Sequence, residues 1–246
     1  MGAWLVAHLA RAPEPLIPLD IFRNEVVGVA TIAIFFAMFA FVGSTVYLPI
    51  YFEYAMGADP TLAGAGLIAL LGGSVIGANS AGRYMARIAH YKRMPIAGLG
   101  VALAALALLA AFASTLQFWQ AEALVLVMGI GIGPLFPVAT VAVQNAVDPR
   151  DLGIATATLA FLRTFGSAIG VALIGAIVLG FGVVSDLGLA AQSATGGPQA
   201  VARAGQAFTV VFALQAVAVA VSLLCVLVME EKPLRGAAPA VAAPEL

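Results

Sequence analysis

The 246-residue chain is 63% hydrophobic and only 9% charged, with a net charge of −1. That balance excludes an ordinary soluble domain and gives no basic surface for nucleic acid. A single cysteine, Cys225, excludes a disulfide framework, and His8 and His90 are too few and too far apart to hold a metal.

Residues 1–25 open on an apolar run that is too short to cross a bilayer and has neither a basic flank nor a small-residue cleavage site, so it is not a signal peptide. The run has the length of the end of a preceding helix. Pro13, Pro15 and Pro18, followed by Asp20, Arg23 and Asn24, then read as a linker.

Beyond it lie charge-poor windows at 26–52, 62–82, 94–121, 123–147, 152–180 and 204–229, interrupted only by Arg163. Each reaches the roughly 20 apolar residues needed to cross a hydrocarbon core of about 30 Å. With no water at that depth, backbone donors and acceptors must pair within their own segment, and the windows are too long for barrel strands. The expected fold is an all-α membrane protein with six transmembrane helices, at about 26–50, 62–83, 94–113, 122–143, 152–180 and 206–229, followed by a disordered tail at 231–246. The third and fourth spans are separated at Ser114, Thr115, Gln117, Gln120 and Glu122, where Phe118 and Trp119 supply an interfacial aromatic anchor.

The loops carry an orientation. Arg11, Arg23, Arg83, Arg87, Lys92, Arg93, Arg150, Lys232 and Arg235 are nine of the 11 basic residues, and all fall on one alternate set of loops. The positive-inside rule puts that set, with both termini, in the cytoplasm.

Three spans carry glycines four apart, Gly73 with Gly77, Gly129 with Gly133, and Gly166 with Gly170, which allow helices to approach backbone to backbone. Pro134 and Pro137 remove donors inside the fourth span and predict a kink or unwound turn, with Gly129 and Gly133 beside it. Such interruptions line transporter cavities and also occur as plain kinks.

Arg163 is twelve residues beyond Asp151, a climb of about 18 Å at helical rise. A charge at that depth should face protein or water, and it serves either a substrate or coupling site, or a structural role as a buried ion pair or a side chain snorkelling toward the cytoplasm. Glu53, between Tyr51 and Tyr54, is a second candidate for substrate or coupling, with a solvated interfacial carboxylate as the plainer reading. Gln144 and Asn145 are uncharged candidates near one end of the fourth span, and like Asn79 they also suit interhelical hydrogen bonds. No nucleophile and base, carboxylate dyad or metal cluster occurs at useful spacing, so an enzyme is not expected.

The stretch from Tyr47 to Arg93 resembles the first two helices and following loop of the C-terminal half of a major facilitator superfamily transporter. The segment from Ala142 to Ala176, with EPLIPLDIFRN at 14–24, is similar to the fourteen-span drug:proton antiporters of the EmrB/QacA type. The loop after the second span matches the family's G-x-L-x-D-R-x-G-R-R signature at Gly82, Arg87 and later basic residues including Arg93, with Arg83 inside it. Ala86 replaces its Asp and Ala89 its Gly.

The resemblance implies two inverted three-helix repeats and a proton-driven multidrug transporter of the inner membrane working by alternating access, with no cofactor. It implies small lipophilic or cationic substrates, and an N-terminal half carrying the proton-coupling helices. A stand-alone homodimer and a non-transporting membrane partner or remnant are the alternatives.

Overall fold

The computed structural model describes residues 24–85, 91–183 and 198–230. The linker before Asn24, Arg87 and His90, the Gly196-Gly197 pair and the tail at 231–246 lie outside them.

Helix α1 (Glu25–Ile50) runs into one π-helical turn (Tyr51–Ala55). It is followed by α2 (Pro60–Met85), α3 (Arg93–Phe112), α4 (Phe118–Ile132), α5 (Leu135–Ala146), α6 (Leu152–Gly180) and α7 (Pro198–Val228). Helices α4 and α5 together form the fourth span, and among the described residues six stretches are long and apolar enough to cross a membrane. Six spans put the beginning of α1 and the end of α7 at one end of the bundle, here the base, and the π turn at the other, the rim.

Local chemistry fixes the ends. Asn24 accepts from the Val26 N–H (3.2 Å) and donates to the Ala146 carbonyl (2.7 Å), so it starts α1 and ties it to the end of α5. Asp59 accepts from the Thr61 N–H (2.8 Å) at the start of α2. At the base, Lys92 Nζ donates to the Leu227 and Met229 carbonyls (2.7 and 2.5 Å), placing a cation on the otherwise unpaired oxygens that end α7. Helix α6 ends in a Schellman turn: Gly182, at φ 73°, donates to Leu179 O, and Val183 donates to Val178 O. A side chain with a Cβ is strained at that φ.

Pro49, near the end of α1, has no N–H to donate, and the π turn follows at once. The wider turn lets two successive aromatics both point inward. Tyr51 packs on Phe208 and Phe212 of α7 and donates to the Ala113 carbonyl (2.9 Å), while Phe52 packs on Phe118 of α4. Both are fully buried and close the rim end of the core.

The helices pair by exchange between the two sets of three. The second span of the first set, α2, lies along α4, and the second span of the other set, α6, lies along α1. Both seams depend on glycine. A Cβ at Gly166 or Gly170 would overlap the carbonyl of Phe35 or Phe39, and one at Gly77, Gly129 or Gly133 would overlap the carbonyl of Ile130, Leu70 or Ser74. In a bilayer, where lipid competes for apolar surface, this close backbone contact is a main source of association.

Helices α3 and α7 pack on each other and against α4 and α1 respectively, which covers one side of the central spans. The first and fourth spans are accordingly the most buried. Outward residues such as Ile68, Val75, Val217 and Leu224 are exposed and apolar, as a surface in contact with lipid requires.

Gly129→Ala and Gly170→Ala are expected to destabilise the bundle by about 1–3 kcal/mol, the cost of overpacking a fitted site. Gly100→Ala in α3, where a Cβ meets nothing within 4 Å, is expected to be neutral or slightly stabilising. Unfolding of the detergent-solubilised chain by denaturant measures all three, and equal effects at the three positions would remove the seams from this account.

Candidate functional site

The fourth span does not run straight through. Gly133 and Pro134 form a turn between α4 and α5. Pro134 leaves the Ile130 carbonyl without its amide partner, and Gly77 of α2 sits against that oxygen. Pro137 likewise cannot donate to Gly133 O, which instead accepts from the Phe136 N–H (3.2 Å) in a tighter turn. Gly129, Gly133 and Pro134 are buried, and Pro137 is half-buried in the first turn of α5.

The interruption presents the Phe136 ring to the neighbouring spans. It meets Phe41 of α1 edge to face at 5.3 Å, and the Arg163 guanidinium of α6 lies over it, with Cζ 5.4 Å from the ring centroid. That spacing and placement make a cation–π contact. On α6, Phe161 stacks on Phe165, which leans on Phe35 of α1.

Arg163 itself is exposed. Among the described residues no acceptor or carboxylate lies within bonding reach of its guanidinium. An arginine at this depth is stable only where water, protein or a ligand meets it. Phe136, Thr140 and Gln144 follow one another at four-residue spacing along α5, so a single stripe runs from the arginine to the exposed Gln144 near the base.

The other sequence candidates lie apart from this cluster. Glu53 is half-buried in the π turn at the rim and makes no ion pair with Arg163. Asn145 is half-buried beside Gln144. Gly82 and Arg83 are exposed at the end of α2, and Arg93 is exposed at the start of α3, all at the base. Among the described residues no group of three or more His, Cys, Asp or Glu could hold a metal ion.

Sequence reasoning missed two polar contacts that cross between helices. Asn79 donates within its own helix, to Val75 O (2.9 Å). Besides the bonds of Asn24, Tyr51 and Lys92 described above, Ser222 donates to Ala33 O (2.8 Å) and Ser44 donates to Gln215 Oε1 (3.1 Å). Gln215 is fully buried in α7 with its Nε2 unpaired. As an amide in the middle of an otherwise apolar span, it was open to detection. Phe136 was one of many aromatics and gave no such signal.

The sequence profile of the Major Facilitator Superfamily matches residues 3–171. An uncharacterised MFS-type transporter of Mycobacterium tuberculosis is 31% identical over 175 residues, which are 70% of this chain and 25% of that protein. The tetracycline resistance determinant of Streptomyces rimosus is 26% identical over 189 residues, 76% of this chain and 54% of that protein. Multidrug resistance protein 3 of Bacillus subtilis is 28% identical over 205 residues, 79% of this chain and 40% of that protein. The chain thus spans between a quarter and about half of the length of these relatives.

A double-mutant cycle tests the central contact. Arg163→Gln and Phe136→Leu are expected to couple by about 0.5–1 kcal/mol in unfolding free energy, the size of an exposed cation–π pair. Additive effects would mean that the guanidinium does not rest on the ring.

Proposed function

The chain belongs to the Major Facilitator Superfamily, and we propose that it is one six-helix half of an inner-membrane efflux transporter that moves small lipophilic compounds by alternating access. Within the superfamily we assign it to the C-terminal half of the fourteen-span drug:proton antiporter type. The observation that carries the reading is Arg163, a charge at mid-depth, exposed beside Phe136 on a side of the bundle that α3 and α7 leave uncovered. The names of the S. rimosus and B. subtilis relatives, a tetracycline resistance determinant and a multidrug resistance protein, support drug efflux.

In this reading a second six-helix bundle faces the Arg163 side, substrate binds between the two, and rocking of one bundle against the other exposes the site to each side of the membrane in turn. The glycine seams keep this bundle rigid during that motion. The base faces the cytoplasm, because Arg83, Lys92, Arg93 and Arg150 gather there while Arg203 lies toward the rim. Energy comes from the proton gradient. Glu25, Glu53 and Glu122 sit at the ends of their spans, so the proton carrier is assigned to the facing bundle.

Arg163→Ala is expected to lower efflux about tenfold or more at unchanged membrane abundance, since removing a charged contact to bound substrate costs at least about 1.4 kcal/mol. Drug accumulation in cells expressing the transporter, with immunoblots of the membrane fraction, measures both. Unchanged efflux would reduce Arg163 to a structural role.

A further inference from the structure

The sign of the charge at mid-depth carries a further conclusion, which rests on the efflux reading above. Apart from Arg163, the windows that form the six spans hold no charged residue except near their ends. The one formal charge that a ligand at that depth would meet on this chain is therefore a cation. A cationic substrate could still be drawn by the aromatic faces nearby. The Phe136 face, however, is already taken by the guanidinium, and Phe161 and Phe165, two residues to either side of Arg163, lie on the opposite face of α6 and stack on each other.

The guanidinium has five N–H donors in a planar fork that suits oxyanions, and no acceptor among the described residues occupies them. A lipid headgroup is an unsuitable occupant, because Arg163 lies about 18 Å up the helix from Asp151 at the base. We propose that the Arg163 side of this chain binds lipophilic anions, compounds that join an aromatic or alkyl body to a carboxylate, phenolate or sulfonate, and that it discriminates against lipophilic cations. The anionic group takes the guanidinium, and the body lies beside it along the Phe136, Thr140 and Gln144 stripe of α5.

Tetraphenylborate and tetraphenylphosphonium, ions of nearly the same shape and opposite charge, test the proposal directly. Their binding to the purified full chain in phosphatidylcholine nanodiscs is measured by calorimetry, with empty nanodiscs subtracted. The borate is expected to bind at least about tenfold tighter than the phosphonium, a modest fraction of what an unscreened buried charge would give. Arg163→Gln is expected to abolish that preference and Arg163→Lys to keep a part of it, with circular dichroism confirming that each variant is folded.

The wild-type ratio tests the sign even if a variant fails to fold. A phosphonium preference that Phe136→Leu weakens would overturn the anion assignment and leave the efflux reading standing. Equal or absent binding of both ions, or a borate preference that survives Arg163→Gln, would overturn it as well. If phosphatidylglycerol in the nanodisc displaces the borate, the site belongs to a lipid headgroup and the substrate assignment falls. The efflux reading is decided separately, by transport in Arg163→Ala.

Discussion

Close backbone approach along two glycine seams is the constraint on which the rest of the structure depends. In water the hydrophobic effect would hold six apolar helices together, but in a bilayer lipid solvates leucine as well as leucine does. What remains is shape. Gly73, Gly77, Gly129 and Gly133 bring α2 onto α4, and Gly166 and Gly170 bring α6 onto α1, each at positions where a Cβ would overlap or press on the facing backbone. Because each seam joins the second span of one set of three to the first span of the other, neither three-helix set is complete alone.

These seams also set where chemistry can occur. Gly170 and Arg163 are seven residues apart on α6 and so share nearly the same side of the helix. The helix that closes on Phe39 at Gly170 therefore delivers the guanidinium toward the central spans one heptad earlier, where it meets Phe136. The turn at Gly133–Pro134 does the rest. It ends α4 against α2 and starts α5 with its first aromatic directed at α1 and α6. Packing and site are thus two consequences of one arrangement of small residues and proline.

The six spans and their membrane setting were legible because the bilayer imposes a length and a composition that few other structures meet. The glycine pairs were legible as packing residues, but spacing alone does not say which helix each pair meets. Arg163 stood out because charge at depth is costly. Its aromatic partner did not, since Phe136 becomes special only once the turn at Pro134 has re-aimed α5. The π turn after Pro49 was also hidden, because a single wide turn leaves the composition of the helix unchanged. Ser44 and Ser222 were missed for a similar reason: a serine in a membrane helix can bond to its own preceding turn, as Ser74 does to Leu71 O (2.8 Å), and sequence does not distinguish the two uses.

In the efflux reading, the side of the bundle bearing Arg163, Phe136 and Thr140 faces a wet, ligand-accessible space and not lipid. Labelling of single cysteines by a membrane-impermeant thiol reagent, in a Cys225→Ser background and in intact membranes, measures this most directly. Thr140→Cys is predicted to label, and Val210→Cys, on the exposed apolar surface of α7, is predicted not to. A Thr140→Cys variant as unreactive as Val210→Cys, with a rim cysteine at Thr115 labelling normally, would contradict the account.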